Sequence, residues 1–142
     1  MRYKESNLPY FLLEDGVREL TEDRVVLAYY ANHSGYTIEN TLWNYADAIQ
    51  LDIPHDGGTC VLVENEAYIV AALYIDSKYY KYLCYSLTKL RNKLEQLDYL
   101  DGSTTLLLPR LTEDGIEWDQ VATIINSIFG KDNLSIEVGT MY

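Results

Sequence analysis

Apolar and polar positions along the chain divide it into short, continuously apolar runs and longer stretches with helical spacing. Residues 24–30, Arg-Val-Val-Leu-Ala-Tyr-Tyr, are rich in β-formers and stop before Asn32-His33-Ser34-Gly35, the pattern of a buried strand entering a loop. Ile38, Leu42, Tyr45, Ala46 and Ile49 recur at helical spacing ahead of Pro54, which predicts a helix. Thr59–Val63 and Ala67–Tyr74, separated by Glu64-Asn65-Glu66 and preceded by Gly57-Gly58, predict an antiparallel hairpin.

Leu83, Leu87, Leu90, Leu94 and Leu97 form one stripe on a predicted helix whose other face carries Lys89, Arg91, Lys93 and Glu95; this stripe reads as core. In the run Thr104–Leu108 the leucines are continuous, not alternating with polar residues, up to Pro109, as in a strand buried on both faces. Trp118, Val121, Ile124, Ile125, Ile128 and Phe129 return to the helical period, with Gly130 at the expected C-terminal cap, and Leu134–Val138 reads as a last strand. Residues 1–23 are expected to add another strand or two, with Gly16–Leu20 ambiguous. Such an alternation predicts an α/β fold, a mixed central sheet with helices on its faces, and one domain over residues 1–142.

Composition sharpens this picture. Of 142 residues, 48% are apolar and 23% charged, enough apolar material for a self-sufficient core. Lys and Arg number 11 against 22 Asp and Glu; the net charge of -11 argues against direct nucleic-acid or anionic-lipid binding. The same acidity suits a surface that imitates nucleic acid towards another protein. Cys60 and Cys84 lie in apolar stretches without metal-type spacing, and their expected state is buried, reduced thiols in a cytoplasmic protein. The N-terminal residues lack a secretory signal core, and no segment is apolar enough to span a bilayer. Two histidines, His33 and His55, stand outside any metal-binding spacing, so neither metal nor cofactor is expected.

Leu106-Leu107-Leu108-Pro109-Arg110-Leu111, then Asp114-Gly115-Ile116-Glu117-Trp118 and the helix to Phe129, resemble the end of a macrodomain of the small ADP-ribose 1''-phosphate phosphatase-like type. Leu27-Ala28-Tyr29-Tyr30-Ala31-Asn32-His33-Ser34-Gly35 resembles that family's strand leading into an Asn-x-x-Gly loop, and the likeness spans roughly residues 24–142. The resemblance implies a three-layer α/β/α sandwich that holds ADP-ribose or a related nucleotide. It implies that Asn32 meets the distal ribose and that Gly35 lets the backbone approach the ligand. Tyr36, Asp76 and the Pro109–Gly115 loop, with Arg110, complete the expected binding site.

The chain departs from the family at both phosphate loops. Tyr36-Thr37-Ile38-Glu39-Asn40 has no glycine, and Thr112-Glu113-Asp114-Gly115 replaces a Gly-x-Gly segment. Lost glycines obstruct backbone approach, and added carboxylates repel a diphosphate. The position of the family's catalytic histidine, three before the Asn, is Tyr29, a poor general base at neutral pH. His33 and Asp76 are the remaining candidates for catalysis; each also reads as a surface side chain, the commoner fate of such residues. Arg110 suits a phosphate or carboxylate, or an internal salt bridge to Glu113, Asp114 or Glu117.

Fourteen tyrosines are an unusual load, and Tyr29, Tyr30, Tyr36, Tyr74, Tyr79 and Tyr80 fall near the expected cleft, where rings suit base stacking, a protein interface or the core. Three functions follow. The first is a non-catalytic binding module for an ADP-ribose derivative. The second is an acidic, Tyr-rich inhibitor or interaction protein, of the kind phages encode, using the fold as a scaffold. The third is a residual ADP-ribose-1''-phosphate phosphatase or ADP-ribosyl hydrolase.

Overall fold

Among the described residues six strands share one sheet: β1 (Arg2–Pro9), β2 (Arg24–Ala31), β3 (Cys60–Glu64), β4 (Ile69–Tyr74), β5 (Asp101–Pro109) and β6 (Asn133–Thr140). Two helices, α1 (Tyr79–Gln96) and α2 (Trp118–Phe129), connect β4 to β5 and β5 to β6. The structure is a computed structural model and describes residues 1–10, 12–13, 23–32, 55–64, 69–75, 79–111 and 115–140. The expected helix Ile38–Ile49 and the segment Gly16–Leu20 lie outside the described residues.

The strand order is β1-β6-β5-β2-β4-β3. All neighbours run parallel except β3, which pairs antiparallel with β4 from Cys60 opposite Leu73 to Glu64 opposite Ile69, as the hairpin pattern predicts. The sheet is therefore mixed, as expected. Its central strands carry long apolar runs because both faces are buried: all six residues of β4 and the last six of β5, Thr104 and Thr105 among them, are buried.

Connection direction explains which face each element covers. The chain passes from β4 to β5 and from β5 to β6 in the same direction across the sheet, and right-handed crossovers then place both helices on one face. There Leu83, Leu87, Leu90 and Leu94 of α1 and Trp118, Val121, Ile125 and Phe129 of α2 pack on Val26, Ala28, Tyr30, Leu106, Leu108, Ile136 and Val138. Each such burial is worth about 1.5–3 kcal/mol. The step from β1 to β2 runs the other way, and Tyr10 and Leu13, which follow β1, pack on the opposite face with Leu27, Tyr29, Val70, Ala72, Tyr74 and Leu107. Gly139 permits this approach, since a Cβ on it would lie 2.8 Å from the Tyr10 Cα.

Two expectations are corrected. Leu97 is not core: it lies one residue beyond α1 and is 43% exposed. The helix closes there because Asp98 takes a left-handed φ of 59°, with Asp98 N–H donating to the Glu95 carbonyl and Tyr99 N–H to that of Leu94, a Schellman ending that turns the chain away. Cys84 is only half-buried on α1, while Cys60 is buried; both are free thiols. Gly130 caps α2, as expected; its φ is right-handed at -56°, so glycine serves space there: a Cβ would strike the Asn126 carbonyl.

Candidate functional site

Strands β2 and β5 are neighbours from which the chain departs in opposite directions, from β5 to β6 and from β2 towards β4 and β3. In parallel α/β sheets this switch in direction leaves a crevice beyond the carboxyl ends of the two strands. The pairing shows the opening. The β2–β5 register runs from Arg24 opposite Thr104 to Leu27 opposite Leu107 and stops. Past that point β2 pairs with β4 as far as Ala31, and β5 pairs with β6 as far as Pro109.

Two tyrosine hydroxyls occupy the parting. Ala31's carbonyl points to β4, where it accepts from Ile75 N–H at 3.0 Å, so by alternation the Ala28 carbonyl points towards β5. It accepts a hydrogen bond from Tyr10 Oη at 2.8 Å, in place of a strand partner. Tyr30, from the helical face, donates its hydroxyl to the Pro109 carbonyl at 2.6 Å. Buried carbonyls at the strand ends are thereby satisfied while the strands stay apart.

The residues expected to bind ligand distribute around this opening as follows. Asn32 follows β2 directly and is half-buried; Pro109 ends β5 and is buried, and Arg110 comes next. Gly115 lies in the loop before α2, exposed, with a φ of +85° and open space where a Cβ would be. Tyr80, near the start of α1, holds this loop by accepting from Glu117 N–H at 2.7 Å and donating to the Gly115 carbonyl at 3.4 Å. Gly35, Tyr36, Asp76 and His33 lie outside the described residues.

Arg110 leans away from the parting. Glu5, Val138 and Leu108 stand in register across β1, β6 and β5, and Arg110 is two residues past Leu108 on the same face. Its side chain crosses β6 so that Nη2 meets Glu5 Oε2 at 3.4 Å. This carboxylate is on β1, 105 residues distant in sequence; of the nearer acids expected to pair with Arg110, Glu113 and Asp114 lie outside the described residues. Glu5 also accepts from Tyr3 Oη at 2.8 Å, and Tyr3 in turn accepts from Trp118 Nε1 at 3.0 Å. Burial foremost, with Glu5 beside it, pushes the Tyr3 phenol up to about 12.

Several of the tyrosines are core and not stacking platforms. Tyr29, Tyr30 and Tyr74 are each at most 1% exposed. Tyr29 Oη is buried with no hydrogen-bond partner, and burial, with Tyr74 and Cys60 nearby, holds its proton far above the ordinary phenol range. His55 packs its ring on Tyr74, centroids 4.9 Å apart. Among the described residues no cluster of three or more His, Cys, Asp or Glu side chains could hold a metal, and no helix is long and apolar enough to cross a membrane. A polar cavity of about 580 Å³, lined by Arg91, Asn126, Lys131 and Asp132, lies at the opposite end of the sheet.

Neither Glu5, Tyr3 nor Tyr10 stands out in the sequence, since each sits in a segment without helical or alternating apolar periodicity. Tyr30 was visible only as one of many tyrosines.

No protein-family model matches the chain, and no curated protein matches it in sequence. Solved structures do match over nearly its whole length. A Bacteroides thetaiotaomicron protein of unknown function superposes with a TM-score of 0.68 at 12% identity, covering 99% of this chain and 98% of its own. A macrodomain protein from Streptomyces coelicolor gives a TM-score of 0.61 at 13% identity, over 96% and 97%. The X-domain of IBV gives 0.61 at 10% identity, over 99% and 90%. The chain has a divergent macrodomain-like α/β fold.

Proposed function

We propose that this chain is a binding module for ADP-ribose or a related nucleotide derivative and that it is not a catalyst. The observation that carries the reading is the parting of β2 and β5 at the switch point, with Asn32 and Pro109-Arg110 at its two lips. Macrodomain folds typically hold ADP-ribose, and Asn32 is the residue the family resemblance assigns to the distal ribose. The non-catalytic part rests on Tyr29, which occupies the position of the family's catalytic histidine. A hydroxyl buried without a partner and with its proton held tightly cannot take a proton from water near neutral pH.

The test is calorimetry with ADP-ribose on the wild-type chain and on Asn32→Ala. Saturable heat in the wild type, weakened about tenfold or more in the variant, is the expected outcome; a buried hydrogen-bonding side chain is commonly worth that much. Absence of both heat and thermal shift at millimolar ADP-ribose sinks the proposal. Turnover of ADP-ribose 1''-phosphate by the wild type would overturn the non-catalytic part alone.

A further inference from the structure

Arg110 and Arg91 are both paired arginines on the helical side of the sheet, and they differ in how much of the guanidinium is used. A guanidinium offers five N–H donors in a planar fork. Arg91 grips Asp132 with two of them, at 3.0 and 3.1 Å, and pairs with Glu95 as well. Among the described residues Arg110 makes one side-chain hydrogen bond, to Glu5, and at 3.4 Å it is longer than the usual N–H···O range. Its Nε is buried with no acceptor. A structural arginine would be expected to look like Arg91.

Glu5 does not depend on Arg110 for its own position. Its other oxygen is held by Tyr3 Oη, which is itself held by Trp118 Nε1. The carboxylate is therefore a fixed post against which the arginine rests, joined by one long contact. The guanidinium side chain is 41% exposed and so can be reached from solvent, and it springs from the residue that follows Pro109 at the lip of the β2–β5 parting. The chain as a whole is strongly acidic, so an anion reaching this edge needs a cation with free, directed donors.

We infer that Arg110 is the phosphoryl-recognising residue of this site and that Glu5 is its intramolecular competitor, occupying the guanidinium until a phosphoryl group of the ligand displaces it. This rests on the nucleotide-binding reading above and deepens it. A phosphoryl group presents several oxygens and can take two forked N–H donors, including the Nε that has no acceptor now. Release from Glu5 breaks one exposed contact, which sets a limited threshold for binding. Glu5 thereby couples the site to the edge strand β1.

The experiment uses the Nε–Hε resonance of Arg110 in the ¹⁵N-labelled chain, assigned by its loss in Arg110→Lys. Inorganic pyrophosphate is titrated in, with ionic strength held constant by NaCl. A saturable shift of that resonance is expected, with the pyrophosphate Kd tightened about two- to fivefold in Glu5→Gln, the effect of removing one exposed ion pair. Glu5→Ala, at the same part-exposed position, repeats the measurement should the amide disturb the Tyr3 contact. The inference is overturned by an unshifted Arg110 resonance, by equal Kd values in the wild type and both Glu5 variants, or by the same shift with NaCl alone. Heat with ADP-ribose but no pyrophosphate response at Arg110 overturns this inference and leaves the nucleotide reading standing. The opposite pattern overturns the nucleotide reading and leaves Arg110 as a phosphoryl receptor.

Discussion

Tyr29 and Tyr30 are adjacent, equally buried, and chemically opposite. Tyr30 turns to the helical face and gives its hydroxyl to the Pro109 carbonyl, whereas Tyr29 turns to the other face and its hydroxyl has no partner. Removing an oxygen that satisfies a buried carbonyl leaves that carbonyl bare and costs about 1–3 kcal/mol; removing an oxygen that is itself unpaired removes a burden. Tyr30→Phe should therefore lower the unfolding free energy in urea by about 1–3 kcal/mol. Tyr29→Phe should leave it unchanged or raise it. Equal losses in the two variants would show that Tyr29 Oη has an acceptor after all. Nothing in the sequence Tyr29-Tyr30 distinguishes the two, because the difference lies in which strand end each ring faces, and that follows from the β2–β5 parting.

At the scale of elements, legibility tracked burial. Strand β5 and helix α2 were visible from their own residues, since a strand covered on both faces must be continuously apolar and a helix on a sheet must repeat its apolar side every three to four residues. β1 was expected only as an unplaced strand within residues 1–23, because it is an edge strand whose residues, Arg-Tyr-Lys-Glu-Ser-Asn-Leu-Pro, are mostly exposed. Its identity as a strand depends on parallel pairing with β6, far away in sequence. The candidate site divides the same way. Asn32 and Pro109-Arg110 could be placed from local motifs, but Glu5, which meets Arg110, could not, because its contact exists only once β1 and β6 have paired. The end of α1 shows periodicity overreaching. Leu94 and Leu97 belong to one leucine series, yet Leu94 is fully buried, whereas Leu97 lies within the Schellman turn, just before Asp98, and is exposed. Leu94→Ala should cost about 2–5 kcal/mol by chemical denaturation, and Leu97→Ala should stay within about 0.5 kcal/mol of the wild type. Comparable losses would mean that the leucine stripe continues as core beyond Gln96, the last residue of α1.

Across the whole molecule, the buried ionisable groups set a shared alkaline limit on stability. Burial foremost pushes the Cys60 thiol from 9.0 up to about 12 and the Tyr3 phenol from 10.0 up to about 12, and it raises Tyr29 and Tyr74 as well. All four lose a proton to become anions, so a raised value in the folded chain means that the folded state keeps protons the unfolded state has released. Between the unfolded and folded values the native chain binds more protons, and the slope of unfolding free energy against pH is negative. Their contribution is fully present below about pH 9, declines from there as Cys60 and then the phenols ionise in the unfolded chain, and is lost as pH rises through the folded values near 12. The net charge of -11 adds self-repulsion that each new anion increases. The chain should therefore unfold cooperatively within the window from about pH 9 to 12, with loss of circular dichroism coinciding with the last part of the rise in tyrosinate absorbance, because the buried phenols ionise only on unfolding. Tyr29→Phe removes the group with the largest upward shift among these, so its alkaline midpoint should move higher, at unchanged or increased stability near neutrality. A midpoint that stays where it is in Tyr29→Phe, or tyrosinate absorbance that completes while the circular dichroism remains native, would show that these groups ionise within the folded chain.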